Sequence, residues 1–486
     1  MNSIRKSLGS GIFYTALAKY SGIVISIVIG AVLSRLLTPE EFGIVALVTV
    51  FVGFFNLLSD FGLGPAVVQN QSLDDKDVHS IFSFSILLGF LLSGLFFLAA
   101  PLIAGFYNEP ELINVSRLLS LAILFYSLQI IPKALFQKAL KFKQIGLITV
   151  SVQFFSGVIA IILAYAGYSY YALVVQSILV GGISLIIFYS LKPVEIEWRI
   201  QLSAIQKIIR FSSFQFMFNF INYFSRNADN FLIGKFLGSA SLGYYDKAYR
   251  LMSMPVQNLT HVITPVLMPV LSKYQDDKNF VFNSYLKVVK LLATIGFPLS
   301  VFLHFAAGDI VHILYGPQWT QSIPVFKLLA LTVGIQMVLS SSGSIFQIVN
   351  RTDLLFISGF LNAITMIGGI SYGIFIGKSL EAVGYGLIGA FCFNFFLGFF
   401  FLVHKALNKS LRTFLKAFGF PLFIAMVLSV FLWIFVTIEP DSISLAFMAK
   451  MVIAVLTFFG LVMSRNDYRV LFKNELSKFK NRTDNT

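Results

Sequence analysis

Fourteen long apolar stretches, following one another along almost the whole chain, are the feature that most constrains its fold. A helix that crosses a membrane needs about 20 mostly apolar residues. The segments between the stretches never exceed about 20 residues, too few for a soluble domain. The sequence therefore predicts an all-α polytopic membrane protein with about 14 transmembrane helices. Their approximate limits are 11–34, 42–66, 80–106, 115–136, 146–166, 169–191, 211–237, 241–270, 284–314, 320–348, 353–376, 381–403, 414–437 and 445–464.

Composition excludes a soluble protein and a disulfide-stabilised one. Of the 486 residues, 57% are hydrophobic and only 12% are charged, far from the averages of soluble domains. The first stretch follows Arg5 and Lys6 as a cleaved signal peptide would, but it lacks a clear small-residue cleavage site and is too long for a signal core. We therefore predict that it is a span. The single cysteine, Cys392, lies inside a span and excludes an intramolecular disulfide.

The distribution of Lys and Arg predicts the orientation in the membrane. With the amino terminus inside and the spans alternating, 26 of the 36 Lys and Arg fall in inside segments and span ends, and five fall within spans. The five in outside segments are Arg35, Arg117, Lys235, Lys378 and Lys450. This asymmetry follows the positive-inside rule, so both termini are predicted to be cytoplasmic. Basic loops facing anionic lipid also account for the net charge of +14 without any nucleic acid partner.

Ionisable residues inside the apolar stretches are the candidates for a functional site. Arg226 and Asp229, flanked by Asn227 and Asn230, lie in the seventh stretch, where each charge costs at least ~3 kcal/mol. Their i, i+3 spacing allows mutual neutralisation on one helix face; the alternative is that they line a polar cavity. We predict the cavity because the asparagines widen the polar stripe. Lys19 interrupts the first stretch and either serves the same cavity or extends back to the headgroups.

Three further cations complete the candidate substrate-binding set. Lys247 and Arg250 follow Asp246 at the start of the eighth stretch, where an interfacial ion cluster is the favoured interpretation and substrate contact the alternative. Lys327 opens the tenth stretch in a similar way. Two other ionisable residues are predicted to have structural roles. Asp60 is expected to hydrogen-bond a helix end, and His304 a backbone carbonyl.

A faint internal repeat relates the two halves of the chain. Leu33–Gly43 aligns with Ile233–Gly243 at a shift of 200 residues. The paired positions include Arg35 with Lys235, Leu37 with Leu237, Phe42 with Leu242, Gly43 with Gly243 and, further along, Pro65 with Pro265. Each block ends an odd-numbered span and begins the next, so both copies would cross the membrane in the same direction. Six spans followed by six, related by an axis along the membrane normal, is a recurrent transporter layout.

The chain resembles the polysaccharide-transporter branch of the multidrug/oligosaccharidyl-lipid/polysaccharide (MOP) exporter superfamily. The similarity extends over roughly residues 1 to 420. It is carried by SGIFYTALAKYSGIVISIVIGAVLSRLLTPEEFGIVAL, by LLSDFGLGPAVVQ and, most specifically, by SRNADNFLIGKFLGSASLGYYDKAYRLMSMPVQNLTHVITPVLMPVLSKYQ. That branch contains flippases for lipid-linked repeat units of O-antigen, colanic-acid-type exopolysaccharide, capsule and teichuronic acid.

The resemblance implies two six-helix lobes, related by pseudo-two-fold symmetry around a central cavity, plus two carboxy-terminal helices. The corresponding boundaries are an N-lobe at 1–191, a cytoplasmic linker at 192–210, a C-lobe at 211–404, spans 13 and 14 at 405–465 and a basic tail at 466–486. The implied substrate is an undecaprenyl-pyrophosphate-linked oligosaccharide, flipped from the cytoplasmic to the outer leaflet of a bacterial plasma membrane by alternating access. The implied partners are a polysaccharide polymerase and export proteins, with H⁺ or Na⁺ as the coupling ion and no cofactor.

Two other function classes are the alternatives. A cation-coupled multidrug or toxin exporter of the same superfamily would not need a basic residue such as Arg226 at the midplane. A membrane enzyme such as a polymerase or ligase would need an extramembrane site on a long outer loop. The predicted outer loops are short, and neither a nucleophile–base arrangement nor an HExxH motif occurs. The enzyme is therefore the least favoured class.

Overall fold

The computed structural model describes residues 2–70, 72–197 and 201–469, and every regular element in this part of the chain is a helix. The all-α prediction is therefore confirmed. The chain divides into two units, residues 1–243 and 244–486. The lobe and linker boundaries derived from the sequence remain a prediction, and most of the basic tail lies outside the described residues.

Eighteen α-helices make up the described part of the chain, joined by short turns. In the first unit they are α1 (Asn2–Leu36), α2 (Pro39–Asp60), α3 (Leu63–Gln69), α4 (Asp75–Tyr107), α5 (Leu112–Lys138), α6 (Phe142–Tyr165), α7 (Tyr171–Leu191) and the first part of α8 (Leu202–Leu271). The second unit continues with α9 (Lys278–Phe305), α10 (Ala307–Leu314), α11 (Ser322–Ala330), α12 (Val333–Leu339), α13 (Ser342–Ile348), α14 (Thr352–Ser371), α15 (Leu380–Phe399), α16 (Leu411–Leu415), α17 (Gly419–Val436) and α18 (Ile443–Ser464). Short π-helical segments, Tyr372–Ile376 and Phe400–Ala406, continue α14 and α15.

Eleven helices in the described part of the chain are long and apolar enough to cross a membrane. A twelfth span is formed if Ser322–Ala330 and Val333–Ile348, which meet at an angle of 47°, are counted as one broken helix. The other two predicted spans, 211–237 and 241–270, both lie in α8, which is not among the eleven. The predicted number of fourteen is therefore not established, whereas the multi-pass membrane character is.

α8 changes direction at Gly238, where the backbone takes φ 86° and ψ 172°. A positive φ of this size is accessible to glycine but strained for other residues. At the 200-residue shift of the repeat, Gly238 aligns with Thr38, which lies between the end of α1 and the start of α2. The two aligned blocks thus both contain a helix break at the same position.

Two glycines in these blocks make reciprocal close contacts. A Cβ atom added to Gly43 would lie 1.8 Å from the carbonyl oxygen of Ser239, and one added to Gly243 would lie 2.0 Å from that of Pro39. The shift of 200 residues exchanges Gly43 with Gly243 and Pro39 with Ser239. The sequence repeat is therefore matched by a pair of equivalent backbone contacts at this place.

Side-chain caps explain where two of the first helices begin. Thr38 accepts a hydrogen bond from the Glu41 amide, and the Glu41 carboxylate accepts one from the Thr38 amide, at 3.3 and 2.6 Å. Asp74 and Asp77 make the same reciprocal pair at the start of α4. Such capping boxes satisfy amides that the first helical turn leaves without carbonyl partners.

The described residues 192–197 and 201–208, which precede and begin α8, form a segment that is fixed to the first unit. Ser83 and Ser80 on α4 accept hydrogen bonds from the amides of Glu197 and Gln201, at 2.8 and 2.6 Å. Lys207, at the start of α8, forms a 2.6 Å ion pair with Asp77. Buried residues of this segment also join a core formed by α3, α4 and α5; they are Val194, Ala204 and Ile208. This segment is a docked element rather than a free connection.

Candidate functional site

The first part of α8 is held against α2 and α4 by aromatic side chains. The Tyr223 hydroxyl donates a hydrogen bond to the carbonyl of Val50 on α2. Gly53 gives it room, since a Cβ there would lie 2.7 Å from that hydroxyl. Further along α8, the Phe231 ring packs at 5.0 Å from that of Phe106 on α4. These contacts fix the rotation of α8 and thereby the directions of its polar side chains.

Arg226 and Asp229 have different environments although they are three residues apart. The Arg226 side chain is exposed, whereas Asp229 is 7% exposed and accepts a 2.8 Å hydrogen bond from the Asn230 amide. The ion pairs of the described residues do not include one between Arg226 and Asp229. Mutual neutralisation is therefore not the arrangement in this structure. Asn227 is half-buried and donates to the Tyr223 carbonyl one turn earlier, at 2.8 Å.

Lys19 is also exposed, on α1 of the same unit. α1 packs chiefly on α6, where the Gln153 amide group donates a 3.2 Å hydrogen bond to the Gly22 carbonyl. Lys19 lies less than one turn before this contact and keeps its side chain on the surface. Two of the predicted substrate-binding cations, Lys19 and Arg226, are therefore accessible in the first unit.

Lys247 is buried in the second unit within an aromatic cage. Its ammonium lies 4.8 Å from the ring centroid of Tyr315 and 5.1 Å from that of Trp319. Aromatic faces attract cations and partly replace the lost hydration. In this structure Lys247 is 5% exposed, so its charge is enclosed by protein rather than presented to a ligand.

Arg250 forms an ion pair with Asp246, and their i, i+4 spacing on α8 favours it. Its Nε lies 2.7 Å from Asp246 Oδ2, one turn earlier on α8, and its side chain is exposed. Asp246 and Arg250 are paired, whereas Lys247 lies against aromatic rings, so the interpretation of all three as an interfacial ion cluster remains a prediction. A part of this cluster in substrate binding remains a prediction.

Lys327 lines a cavity of about 320 Å³ in the second unit, which we call the charged pocket. Its lining residues are His304, Phe305, Gly308, Asp309, Lys327, Val436, Glu439 and Lys450. The Lys450 ammonium on α18 lies 2.7 Å from Asp309 Oδ2 on α10 and 2.6 Å from Glu439 Oε1 in the turn before α18. This trio was not predicted from the sequence, in which Lys450 was assigned to an outside segment. The signal that could have revealed it is a lysine within an apolar stretch, which calls for a carboxylate partner.

Both structural assignments made for single ionisable residues are confirmed. Asp60, the last residue of α2, accepts a 3.4 Å hydrogen bond from the amide of Gly64 in the first turn of α3. His304 Nδ1 lies 2.9 Å from the carbonyl oxygen of Lys327. In the described part of the chain, no three His, Cys, Asp or Glu side chains are grouped so that they could hold a metal ion.

Solved structures of two membrane transporters have a similar fold. The lipid II flippase MurJ in an inward closed conformation superposes with a TM-score of 0.74 and 16% identity, over 94% of this chain and 99% of that one. An inward-facing multidrug resistance MATE family transporter of the MOP superfamily superposes with a TM-score of 0.63 and 14% identity, over 80% and 96%. At these identities the likeness shows the fold alone.

Similar sequences come from bacterial polysaccharide biosynthesis. Lipopolysaccharide biosynthesis protein WzxC of Escherichia coli (strain K12) is 25% identical over 443 residues, 87% of this chain and 86% of that one. Teichuronic acid biosynthesis protein TuaB of Bacillus subtilis (strain 168) is 26% identical over 370 residues, 73% and 74% of the two chains. Succinoglycan biosynthesis transport protein ExoT of Rhizobium meliloti (strain 1021) is 25% identical over 379 residues, 78% and 76%.

A family model described as polysaccharide biosynthesis protein matches residues 32–324, more than half of the chain. This match includes both blocks of the internal repeat and the polar stretch of α8. The resemblance to a family of polysaccharide biosynthesis proteins is thereby confirmed. The chain belongs to the polysaccharide biosynthesis protein family.

Proposed function

We propose that this protein is a transporter that moves a lipid-linked oligosaccharide repeat unit across a bacterial plasma membrane, from the cytoplasmic to the outer leaflet, for assembly of a surface polysaccharide. The observation that carries the proposal is membership of a polysaccharide biosynthesis family in a chain whose described part is helical and multi-pass. The similarity to a succinoglycan biosynthesis transport protein over 78% of the chain supports transport rather than synthesis.

Physical chemistry explains why such a step needs a protein. The hydroxyls and anionic oxygens of a sugar pyrophosphate would lose their hydrogen bonds to water on entering hydrocarbon, at a cost of several kcal/mol for each unsatisfied group. A prenyl chain, by contrast, is apolar and enters lipid without such a cost. Accessible cations and amides within the membrane can replace water around the headgroup while the chain stays outside.

Arg226 is the residue that we assign to the pyrophosphate. Its side chain is exposed and forms no ion pair with Asp229. A guanidinium offers two parallel N–H donors to phosphate oxygens, which an ammonium cannot do. Asn227 and Asn230 would supply amide groups on the same stretch of α8, and Lys19 a second accessible cation. Undecaprenyl pyrophosphate as the carrier, alternating access as the mechanism, and H⁺ or Na⁺ as the coupling ion are parts of this proposal.

The multidrug exporter is the second candidate, supported by the structural likeness to a MATE transporter. Fold alone does not separate the two, because MurJ is also similar. The named sequence relatives from three organisms are all polysaccharide biosynthesis proteins, which favours the saccharide. Exposed Arg226 also suits an anionic substrate better than the cationic drugs on which a cation-coupled exporter would act.

Deletion of the gene tests the proposal against this alternative. We expect lipid-linked repeat units to accumulate at the inner leaflet and the surface polymer to disappear, while drug susceptibility stays unchanged. The wild-type gene should restore the polymer in a strain that lacks its own repeat-unit flippase. Persistence of the polymer in a strain without any other flippase, or increased drug sensitivity with normal polymer, would contradict the proposal.

A further inference from the structure

The charged pocket of the second unit brings together charges of both signs. On its acidic side, Lys450 is shared between two carboxylates, and its side chain is only 4% exposed. Asp309 is 10% exposed and Glu439 25% exposed at the side chain. Two carboxylates around one ammonium leave one negative charge in excess, and each carboxylate keeps a second oxygen that Lys450 does not use. This side of the pocket can therefore accept N–H donors from a further cation.

The Lys327 ammonium, which also lines the pocket, is a donor for an anion. His304 Nδ1 lies 2.9 Å from the Lys327 carbonyl oxygen, and because a carbonyl only accepts, Nδ1 carries the proton. The other ring nitrogen, Nε2, is then an acceptor and does not donate to an anion. The Lys327 side chain is exposed and belongs to none of the ion pairs of the described residues. Lysine is a common phosphate ligand in proteins.

Exposed apolar side chains lie at the end of α17, at the start of α18 and in the turn between them. Trp433 on α17 is 65% exposed, Ile438 in the following turn is 74% exposed, and Leu445 on α18 is 60% exposed. Val436, which lines the pocket at 43% exposure, is thus one of several exposed apolar side chains near the end of α17 and the start of α18. A ligand whose charged end enters the pocket would therefore lay its remaining part on apolar side chains of the kind that contact lipid chains.

We propose that the charged pocket binds the zwitterionic headgroup of a phospholipid, a phosphodiester that carries a primary ammonium. The phosphate is held by Lys327, the ammonium by Glu439 and Asp309, and the acyl chains lie along α17 and α18. A cavity of about 320 Å³ is within the size range of ligand sites, roughly 300–1,000 Å³, and accommodates a headgroup but not an oligosaccharide repeat unit. The site is independent of the transported substrate and goes beyond the proposed function.

Native mass spectrometry of the purified full-length protein tests this site. The protein is incubated with equal amounts of phosphatidylethanolamine, phosphatidylglycerol and phosphatidylcholine that carry the same acyl chains. The second lipid lacks the ammonium, and the third has a quaternary ammonium without N–H donors. We expect phosphatidylethanolamine to be retained about tenfold better than either, since a hydrogen bond to a charged group contributes at least ~1.5 kcal/mol.

Two nearly isosteric variants examine the two sides of the pocket separately. Glu439→Gln should remove the preference for phosphatidylethanolamine over phosphatidylglycerol, and Lys327→Gln should weaken retention of both lipids. Both variants leave the Lys450–Asp309 ion pair in place, so the lipid-free Tm should stay near that of the wild type. Lys378→Gln is the matched control, because Lys378 is an exposed lysine of the same unit that does not line the pocket.

Three outcomes would overturn the proposal. Equal retention of phosphatidylethanolamine and phosphatidylglycerol by the wild type would show that no ammonium is recognised. Displacement of the lipid by inorganic phosphate alone would show that the ligand is a free anion rather than a headgroup. A loss of binding in Lys378→Gln as large as in Lys327→Gln would show general attraction to a basic surface. None of these readouts depends on transport, so a failure here is distinguishable from a failure of the proposed function.

Discussion

At the scale of single residues, burial separates the intramembrane charges into two groups. Lys450 and Lys247 are buried, one between two carboxylates and the other between two aromatic rings. Arg226, Lys19 and Lys327 are exposed in their units. A buried charge with fixed partners contributes to structure, and removing one partner strands the other. An exposed charge within a membrane protein is available to a ligand. Substitutions of the buried residues should therefore reduce stability, and substitutions of the exposed residues should reduce ligand binding.

Substitution of Arg226 is predicted to impair transport and not folding. Arg226→Ala should reduce polymer export by at least about tenfold, since hydrogen bonds to a charged group are lost, while protein abundance stays normal. Arg226→Lys should recover only part of the activity because an ammonium cannot make the bidentate contact. Surface polymer and membrane-fraction immunoblots measure the two quantities. If the double variant Arg226→Ala/Asp229→Ala exports polymer as well as wild type, Arg226 only balances Asp229 and does not bind substrate.

Substitution of Lys450 is predicted to destabilise the folded protein. Lys450→Met leaves the buried Asp309 and the partly buried Glu439 without their cation, a loss of about 3–5 kcal/mol for a broken buried pair. Its abundance and its Tm in detergent should therefore fall. The triple variant Lys450→Met/Asp309→Asn/Glu439→Gln removes all three charges and should recover most of the loss. Lys378→Met is the control; equal destabilisation of both single variants would show that the buried trio has no special role.

At the scale of elements, the reciprocal glycine contacts leave no space for a side chain. The atoms that a Cβ at Gly43 or Gly243 would meet are backbone carbonyls, which cannot move aside as a flexible side chain can. Gly43→Ala and Gly243→Ala should each cost about 1–3 kcal/mol through overpacking. Thermal unfolding in detergent measures this. Gly105→Ala, which adds a methyl group to open space on α4, should be neutral; similar losses in all three variants would contradict the close contact.

The docked segment, which includes the start of α8, is predicted to stay in place over a wide pH range. Its ion pair with Asp77 raises the pKa of Lys207 above the usual 10.5, so this contribution is complete below that value and is lost only as the pH rises through the raised pKa. The hydrogen bond from the Asp77 amide lowers the pKa of Asp74 below the usual 3.8, so the cap is complete above that value and is lost as the pH falls through the lowered pKa.

Hydrogen exchange measured by mass spectrometry tests this window. After correction for intrinsic rates, protection of residues 201–208 should be constant between about pH 5 and pH 9. Lys207→Ala should increase exchange there, whereas Lys192→Ala, an exposed residue without such a pair among the described contacts, should not. A large change in protection near neutral pH would mean that other groups control the docking.

At the scale of the whole molecule, the charge distribution predicts which ends of the helices are cytoplasmic. Residues 1–10, 192–208 and 466–486 should lie inside and residues 437–444 outside. On a Cys392→Ala background, an impermeant thiol reagent added to intact cells should label Asp441→Cys and spare Asp484→Cys, although position 484 lies outside the described residues. Labelling of position 484 from outside would reject the fourteen-span arrangement with an inside amino terminus.

The sequence was sufficient for fold class and family because both depend on features spread over the chain. The long apolar stretches and the motif around Gly238 can be recognised in the sequence without knowledge of which residues are in contact. The charged pocket could not be predicted, since Lys450 and Asp309 are 141 residues apart and the pair depends on how α10 packs against α18. Likewise, i, i+3 spacing suggested an ion pair of Arg226 with Asp229, but packing of Tyr223 and Phe231 sets the rotation of α8. The substrate role of Arg226 remains a prediction.

The docked segment has a consequence for how the chain is made. Every described contact that fixes residues 194–197 and 201–208 is to α3, α4 or α5 or the turn between α3 and α4, all of which are synthesised earlier. Ser239 and Gly243, too, contact residues synthesised some two hundred residues before them. Because domains generally fold as units during synthesis, amino-terminal first, the first unit can assemble in the membrane while most of the second is still being translated.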